Sequence, residues 1–377
     1  MSALTLPISE GELDEFFKLL KKLSDAFGVS GYEDEVRGII IDEVREAADH
    51  VEVDRFGNVI AIKRGGRGTI KIVWDAHMDE IGFLVKHIDD KGFIYLSPVG
   101  GWTDHVLPGQ RVRILTDNGT LVRGVIGIKP PHLMKQEERS QVIPLDKLFV
   151  DIGASSREEV EKLGIRIGSP VDLDRETIRL VGDRVTGKAF DDRVGVAVLI
   201  KAFKEFNPAE QTVYLVIATQ EEVGLKGARV AAQKIQPEAA IAVDVTTAND
   251  VPGVEAKDRV AEVGKGPALT VADGRNASGL IAHPKLLKLL METAKAEGIP
   301  YQLFILPGGT TDATAIALAG EGVPSAVVSV PTRYIHSPVE LLSLRDAVYA
   351  AKLVAAATSR ITREWYDREI LWGKKIK

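Results

Sequence analysis

The chain has 377 residues, of which 45% are hydrophobic, so it is long enough for about two domains with a large core. Its net charge of −6, with mixed acidic and basic residues and no long apolar run, excludes a nucleic-acid groove and a membrane partner. Cysteine is absent, which excludes disulfides, zinc–thiolate sites and a cysteine nucleophile, so any metal must bind to His, Asp and Glu.

The N-terminal part of the chain is predicted to form two helices and a hairpin. Its acidic start lacks the basic residues and apolar segment of a signal peptide, which predicts a cytoplasmic protein. Glu12–Phe27 and Glu33–Ala48 have apolar residues at helical spacing, and Gly28 separates them. Val51–Val53 and Val59–Ile62 flank turn-forming residues and predict a β-hairpin.

The pattern changes between about Phe83 and Leu173, where strand candidates become short and are separated by turn-forming residues. The predicted strands are Phe83–Val85, Phe93–Leu96, Arg111–Leu115, Leu121–Ile128, Leu148–Asp151 and Val171–Leu173. Turn signals such as Asp117-Asn118-Gly119 lie between them. This succession is typical of a small β-barrel or sandwich.

After Arg179 the chain returns to an alternation of long strands and helices. The predicted helices are Arg193–Phe206, Leu225–Gln233, Pro284–Glu297, Ala313–Ala319 and Leu344–Ile361. We therefore expect a discontinuous α/β catalytic domain formed by residues 1–82 and 174–377, with a β domain of residues 83–173 inserted into it.

Four apolar runs lead into residues that can bind metals. Ile70–Trp74 leads into Asp75, His77 and Asp79; Thr212–Thr219 into Glu221 and Glu222; Ala239–Val243 into Asp244; and Ser325–Val330 into His336. Such runs predict buried strands of a parallel sheet, and ligands bind beyond the carboxyl ends of these strands in open α/β sheets. The pattern therefore predicts a metal centre at one edge of the sheet.

Each of these residues also has an ordinary interpretation when taken alone. A histidine at a strand end is often a surface or core residue, and Asp191 or Asp192 before a helix is often only an N-cap. Two tandem acids, however, leave one free to cap the helix and one to face the sheet. Glu221 and Glu222 could lie in a solvated loop, but side by side at a strand end they repel each other, and a cation removes that cost.

Asp244 is the hardest to dismiss, because an acid inside an apolar strand must be paired or coordinated. The Gly-rich turn before a predicted helix, formed by Gly308, Gly309, Thr310, Thr311 and Asp312, could cap the helix or bind a substrate carbonyl or carboxylate.

A set of histidines and carboxylates without sulfur suits two divalent ions with a bridging water as nucleophile. Two histidines favour zinc or cobalt over magnesium or calcium.

These segments, in this order, resemble the TET-type (tetrahedral) dinuclear metallo-aminopeptidases, relatives of the glutamyl and deblocking aminopeptidases. The resemblance is carried by His77–Phe83, Lys188–Gly195, Gln220–Gly224, Val243–Val245, Pro307–Ala315 and Arg333–Glu340, and by Leu107–Val112 and Lys129–Leu133 in the insert. It implies a zinc-peptidase-like α/β/α domain with an inserted β-barrel or PDZ-like domain that builds dimers. It also implies a hollow tetrahedral dodecamer with inward-facing sites, which would restrict substrates to short peptides.

The resemblance also implies a role for each matching residue. The metal ligands would be His77 and Asp244 for one ion, Glu222 and His336 for the other, and Asp191 as a bridge. Glu221 would be the general base and acid, and Asp79 would orient His77. The segment Gly100–His105 departs from the Asp–Arg pattern usual there, so details of assembly or gating are expected to differ.

The leading hypothesis is a metal-dependent aminopeptidase with a broad or Leu-like apolar preference. A deacylase or other amidohydrolase on the same metal site is an alternative, and a non-catalytic cage-forming scaffold is another. A glycosidase does not fit, because it needs two metal-free carboxylates across a sugar. The abundance of Lys, Arg and Glu over Asn and Gln is typical of a thermophile.

Overall fold

A computed structural model describes residues 6–66 and 70–371 of the chain. Its α-helices are α1 (Glu10–Asp25), α2 (Asp34–Val44), α3 (Gln136–Arg139), α4 (Arg157–Lys162), α5 (Phe190–Glu205), α6 (Lys226–Ile235), α7 (Pro284–Ala296), α8 (Asp312–Ala317), α9 (Leu344–Arg360) and α10 (Arg363–Glu369). Its first nine strands are β1 (His50–Val53), β2 (Val59–Arg64), β3 (Ile70–His77), β4 (Gly82–Ile88), β5 (Ile94–Val99), β6 (Arg111–Leu115), β7 (Leu121–Gly127), β8 (Phe149–Asp151) and β9 (Pro170–Leu173). The later strands are β10 (Ile178–Arg179), β11 (Arg184–Gly187), β12 (Gln211–Ala218), β13 (Ala239–Thr247), β14 (Ala268–Ala272), β15 (Gln302–Ile305), β16 (Ser325–Arg333) and β17 (Glu340–Ser343).

The larger of the two sheets brings the four predicted ligand strands together. Its order is β1-β2-β12-β3-β13-β16-β17-β11-β10, with β14 and β15 attached beside β16. The neighbours β12, β3, β13 and β16 run parallel, so their carboxyl ends meet at one edge. The flanking pairs are antiparallel, so the sheet is mixed, whereas the sequence indicated only its parallel centre.

Helices cover both faces of this sheet and form the expected α/β/α layers. Helices α1, α2, α5, α7 and α9 pack on one face around the fully buried Trp74. Helices α6 and α8 pack on the other face against Val73 and Val216. Alternate side chains of β3 enter opposite layers, as strand geometry requires, and both layers exclude water. This burial on both faces explains why the central strands are nearly continuous apolar runs.

The second sheet is a closed barrel of six strands in the order β4-β5-β8-β7-β6-β9. It has its own apolar core, which includes Phe83, Val112 and Val150. The prediction of a small β-barrel is confirmed, and each predicted strand matches an observed one to within a few residues. The assignment of residues 83–173 to an inserted dimerisation domain stays a prediction.

The long helices form where apolar spacing predicted them, and their ends differ by up to four residues from the prediction. The elements that were not predicted are strands β10, β11, β14, β15 and β17 and helices α3, α4 and α10. In α10, Tyr366 is buried in the main core and Trp365 packs against it, so these two aromatic residues cap their own domain. No helix among the described residues is long and apolar enough to cross a membrane.

Candidate metal centre

The first site residues lie at the end of β3. Asp75 and His77 belong to the strand itself, whereas the sequence placed them just after it. His77 is 2% exposed, and its Nδ1 lies 3.1 Å from the main-chain oxygen of Asp79. When Nδ1 carries the proton it donates to that carbonyl, which leaves Nε2 free to bind a metal. Asp79 thus orients His77 partly through its backbone.

The carboxylate of Asp79 holds the end of the neighbouring strand. Oδ1 of Asp79 accepts the backbone N–H of Glu221 over 2.9 Å, and Oδ2 accepts that of Glu222 over 3.3 Å. The hydroxyl of Ser30 donates to the same Oδ2 over 2.6 Å. Asp79 is fully buried, so these donors balance its negative charge and fix the turn that presents both glutamates.

Asp191 lies between the two histidines. Its Oδ1 is 3.2 Å from Nε2 of His77, and its Oδ2 is 3.2 Å from Nε2 of His336. Each carboxylate oxygen therefore faces a different imidazole, as a carboxylate that bridges two cations must. The structure thus brings His77 and His336, which are 259 positions apart in the sequence, to the same carboxylate.

The remaining predicted ligands surround these three residues. Nε2 of His77 lies 3.8 Å from Oε2 of Glu221 and 4.0 Å from Oδ1 of Asp244. Nε2 of His336 lies 3.4 Å from Oε1 of Glu222, a buried oxygen without a hydrogen-bond partner among the described residues. All five predicted metal ligands, and Glu221, are thus gathered at the carboxyl edge of the parallel strands.

The adjacent acids Asp191 and Asp192 have different roles, as their tandem arrangement in the sequence suggested. Oδ1 of Asp192 accepts the backbone N–H of Gly195 over 3.0 Å in the first turn of α5, so Asp192 is the capping acid. Its Oδ2 accepts the backbone N–H of His77 over 3.3 Å. Asp191 faces the two imidazoles instead. Atoms of His77, Asp192 and Asp244 also lie within 4.8 Å of one another, so Asp192 belongs to the group of potential ligands.

Glu340 is a site residue that sequence reasoning missed. Its Oε2 accepts the backbone N–H of Asp191 over 3.0 Å, and its Oε1 accepts that of His336 over 2.8 Å. His336 has a left-handed backbone with φ 59°, which costs energy for a residue with a side chain. One buried carboxylate thus holds two ligand-bearing loops. Its sequence signals were its place at the end of the matching segment Arg333–Glu340 and its position as an acid at the start of an apolar strand.

Burial and mutual repulsion shift the acidity of these groups. Burial raises the pKa of Glu221 well above its usual range, and the negative charges of Asp312 and Asp244 add to this effect while His77 opposes it. Burial also opposes a charged imidazole at His336, but Asp191 and Glu222 outweigh it and raise the pKa of His336 to about 11. The hydrogen bonds from both imidazoles overcome burial and hold the pKa of Asp191 well below its usual range.

The donor set fits two divalent cations. Among the described residues, the groups within mutual reach are His77 with Asp191 and Glu222, and His77 with Asp192 and Asp244. Buried carboxylates this close repel each other strongly, and Oε1 of Glu222 has no hydrogen-bond partner among the described residues beyond its 3.4 Å approach to His336, so cations would relieve both costs. Imidazole and carboxylate together suit zinc or cobalt.

A cavity of about 360 Å³ opens beside this cluster. Its lining includes Glu221, Asp244 and His336 together with Gly308, Gly309 and Thr310 of the Gly-rich turn. The predicted substrate-binding turn therefore lines the same cavity as the predicted metal ligands. Asp312 does not line the cavity: it is buried below the turn and forms a close pair with Asp75 of β3.

Parallel strands at the centre of a mixed sheet, whose ends gather two imidazoles and several carboxylates beside an open cavity, are typical of a metal-dependent hydrolase. The family model of the M42 glutamyl aminopeptidases matches residues 57–353. The chain therefore belongs to the M42 aminopeptidase family, and it is a metallo-aminopeptidase. The predicted resemblance to the TET-type enzymes is confirmed.

Individual relatives agree with this assignment. The lysyl aminopeptidase of Pyrococcus furiosus is 40% identical and covers 90% of this chain and 96% of its own. The structure of an aminopeptidase from Desulfurococcus kamchatkensis is 46% identical and has a TM-score of 0.93, covering 97% of this chain and 99% of its own. The TET1 peptidase of Pyrococcus horikoshii, whose subunits can assemble into a tetrahedron or a large octahedral shell, is 35% identical. Its TM-score is 0.79, with 90% of this chain and 98% of its own covered.

Proposed function

We propose that this enzyme removes N-terminal residues from short peptides with the help of two divalent ions, zinc or cobalt. His77 and Asp244 would hold one ion, Glu222 and His336 the other, and Asp191 would bridge them. The observation that carries the proposal is Asp191, whose two oxygens each face a different imidazole at 3.2 Å. Ions held there would supply Lewis acidity and lower the pKa of a water molecule at the substrate.

Glu221 is the residue that would move the proton. Its side chain lines the cavity, and its Oε2 lies 3.8 Å from Nε2 of His77, so it stands beside the ligands rather than behind them. From this position the carboxylate can take a proton from the attacking water and give it to the leaving amine. Asp79 fixes the backbone of Glu221 and so sets the direction of its side chain.

The cavity wall supports a preference for uncharged, apolar N-terminal residues. Leu306, Ile335 and Val245 line it together with threonines and glycines. No lysine or arginine is among the described residues that line it. A glutamate side chain would therefore find no lysine or arginine to pair with in this cavity. We infer a broad, Leu-like preference, in contrast to the glutamyl name of the family and the lysyl name of one relative.

Assembly into a tetrahedral dodecamer is part of the proposal, with the barrel as the dimerisation domain and the sites facing an inner chamber. The similarity to a peptidase that assembles into a tetrahedron supports it. Such a chamber would admit short peptides and exclude folded proteins. A cytoplasmic location and a thermophilic source are proposed on composition alone.

The test is the hydrolysis of aminoacyl-p-nitroanilides before and after chelation, with Zn²⁺ or Co²⁺ added back. We expect activity that depends on metal, is highest for Leu and lowest for Glu, and is lost in Glu221→Gln with metal content unchanged. Two bound metals with no activity on any free N-terminus, but with activity on N-acylated amino acids, would contradict the proposal in favour of a deacylase.

A further inference from the structure

The barrel reaches the metal centre through a cluster of buried charges. Asp172 of β9 is fully buried, and Nε of Arg113 on β6 donates to its Oδ1 over 2.9 Å. The ammonium of Lys188 lies 3.2 Å from Oδ2 of Asp172 and 2.7 Å from both carboxylate oxygens of Glu80. One buried ammonium thus joins an acid of the barrel to an acid of the α/β part.

Glu80 and Lys188 are close in sequence to metal ligands. Glu80 directly follows Asp79 and is three residues after His77, while Lys188 is three residues before Asp191. Both side chains are almost fully buried, so neither can shift without moving its backbone or losing its partner. The cluster therefore ties the position of the barrel to two segments that carry ligands.

A second contact between the barrel and the metal centre is independent of these charges. In the loop that follows β5, a Cβ added to Gly101 would lie 3.2 Å from Nδ1 of His336, and one added to Gly100 would lie 3.4 Å from Oε2 of Glu222. The indole of the next residue, Trp102, donates to the main-chain oxygen of Gly82 over 2.9 Å, which fastens this loop to the barrel. A methyl group at Gly101 would therefore be unusually close to the imidazole, and the ring of His336 would have to move by a few tenths of an ångström to accommodate it.

We propose that the barrel holds the metal ligands in place, with Asp172, acting through Lys188 and Glu80, and Gly101, lying against His336, as positioning residues of the metal centre. The inference rests on the two-metal site proposed above. Groups that orient metal ligands from behind contribute strongly to metal affinity, because they fix the ligand geometry before the metal binds. The barrel is then part of the catalytic machinery as well as a candidate surface for assembly.

The test compares Zn²⁺ binding by calorimetry in the full chain, after removal of metal, for the wild type, Asp172→Asn and Gly101→Ala. We expect each variant to bind Zn²⁺ about tenfold more weakly, with an unchanged circular-dichroism spectrum. At limiting Zn²⁺, kcat should fall and KM should stay the same, and excess Zn²⁺ should restore kcat.

Two matched variants separate positioning from general destabilisation. Gly127→Ala adds a methyl group to β7 at an ordinary 3.5 Å from the ring of Phe149. Asp346→Asn changes another buried acid, which accepts backbone N–H groups of Gly264 and Gly266 rather than contacting a ligand segment. Both should bind Zn²⁺ like the wild type.

The inference is overturned when folded Asp172→Asn and Gly101→Ala bind Zn²⁺ as tightly as the wild type, or when the two matched variants weaken binding equally. Should Asp172→Asn fail to fold, Gly101→Ala decides, because it leaves the charge cluster intact. A wild type that binds fewer than two Zn²⁺ ions would contradict the proposed function itself, which is a separate result from the variant comparison.

Discussion

The backbone N–H of Glu221 donates a 2.9 Å hydrogen bond to Oδ1 of Asp79, and this bond joins the ends of two neighbouring parallel strands. The same aspartate accepts from Ser30 and from the backbone of Glu222. Both oxygens of one buried side chain are therefore used to hold the proposed proton carrier and a proposed ligand in place. The geometry of the site therefore requires the side chain of Asp79 to be a carboxylate, which accepts hydrogen bonds at both oxygens and donates none.

Asp79→Asn should lower kcat about 10- to 100-fold with little change in KM. An amide keeps one acceptor oxygen but turns an NH₂ group towards N–H or O–H donors, which forces the turn at Glu221 to move. The measurement is kcat and KM on Leu-p-nitroanilide with saturating Zn²⁺. Ser30→Ala, which removes only one of the donors, should have a smaller effect, and equal losses in both variants would contradict this account.

Glu340→Gln should weaken metal binding about tenfold. Its two oxygens accept the N–H groups of Asp191 and His336, and an amide can accept only one of them without repulsion. The left-handed backbone of His336 then loses its support. Calorimetric titration with Zn²⁺ measures the effect. Unchanged affinity and stoichiometry would show that the His336 loop keeps its conformation without Glu340.

Most residues of the candidate site could be predicted from the sequence, because each of them is marked by a local sequence pattern. Four of the five predicted ligands follow or end an apolar run, and parallel strands bring such ends to one edge regardless of the loops between them. Asp191 was singled out instead as one of two tandem acids before a predicted helix. Asp75 and His77 were placed after β3, because the polar residues interrupt the apolar run, yet hydrogen bonding to β12 continues through His77. The strand end is thus set by its neighbour rather than by its own composition.

Residues whose role depends on distant partners were beyond sequence reasoning. Glu340 holds Asp191, which is 149 positions away, and Asp172 meets Lys188 only because the barrel folds back onto the α/β part. Strands β14 and β15 are short and are stabilised mainly by pairing with each other and with β16. Neither periodicity nor propensity carries information about such pairings.

Thr358→Val should lower the free energy of unfolding by about 1–3 kcal/mol. Nε1 of the fully buried Trp74 donates to the hydroxyl of Thr358 over 2.8 Å, and valine has a similar shape but no acceptor. Urea denaturation followed by tryptophan fluorescence measures the loss. Thr358→Ser, which keeps the acceptor, should lose less, and kcat should be unchanged in both variants.

Asp346 should make the protein less stable as the pH rises from about 4 to 6. Burial raises the pKa of Asp346 from 3.8 to about 6, despite hydrogen bonds from Gly264 and Gly266. Between these values the folded protein keeps a proton that the unfolded chain has lost, so stability falls with pH. The shift corresponds to about 3 kcal/mol.

The measurement for Asp346 is the difference in unfolding free energy between wild type and Asp346→Asn at pH 4 and pH 7, in chelator and at one protein concentration. The variant lacks this titration, so the stability of the wild type relative to the variant should decrease between the two pH values. A difference that does not depend on pH would show that the carboxyl group has the same pKa in the folded and unfolded states.

A positive charge in the cavity should change the substrate preference. Thr247 ends β13, is exposed and lines the cavity beside Thr246 and the carboxylates of the site. Thr247→Lys would place an ammonium in a cavity whose described lining residues include no lysine or arginine. We expect kcat/KM for Glu-p-nitroanilide relative to Leu-p-nitroanilide to rise about two- to fivefold, the effect of one solvent-screened ion pair of about 0.4–1 kcal/mol.

The control for this substitution is Thr247→Gln, which adds a side chain of comparable polarity without the charge. It should leave the ratio of Glu to Leu activity close to that of the wild type. A rise in the ratio at low ionic strength that disappears in high salt would identify the effect as electrostatic, because salt screens an exposed pair. An equal rise in the lysine and glutamine variants would instead assign the preference to cavity shape, and the lack of a lysine or arginine in the described cavity lining would then not explain the selectivity against acidic residues.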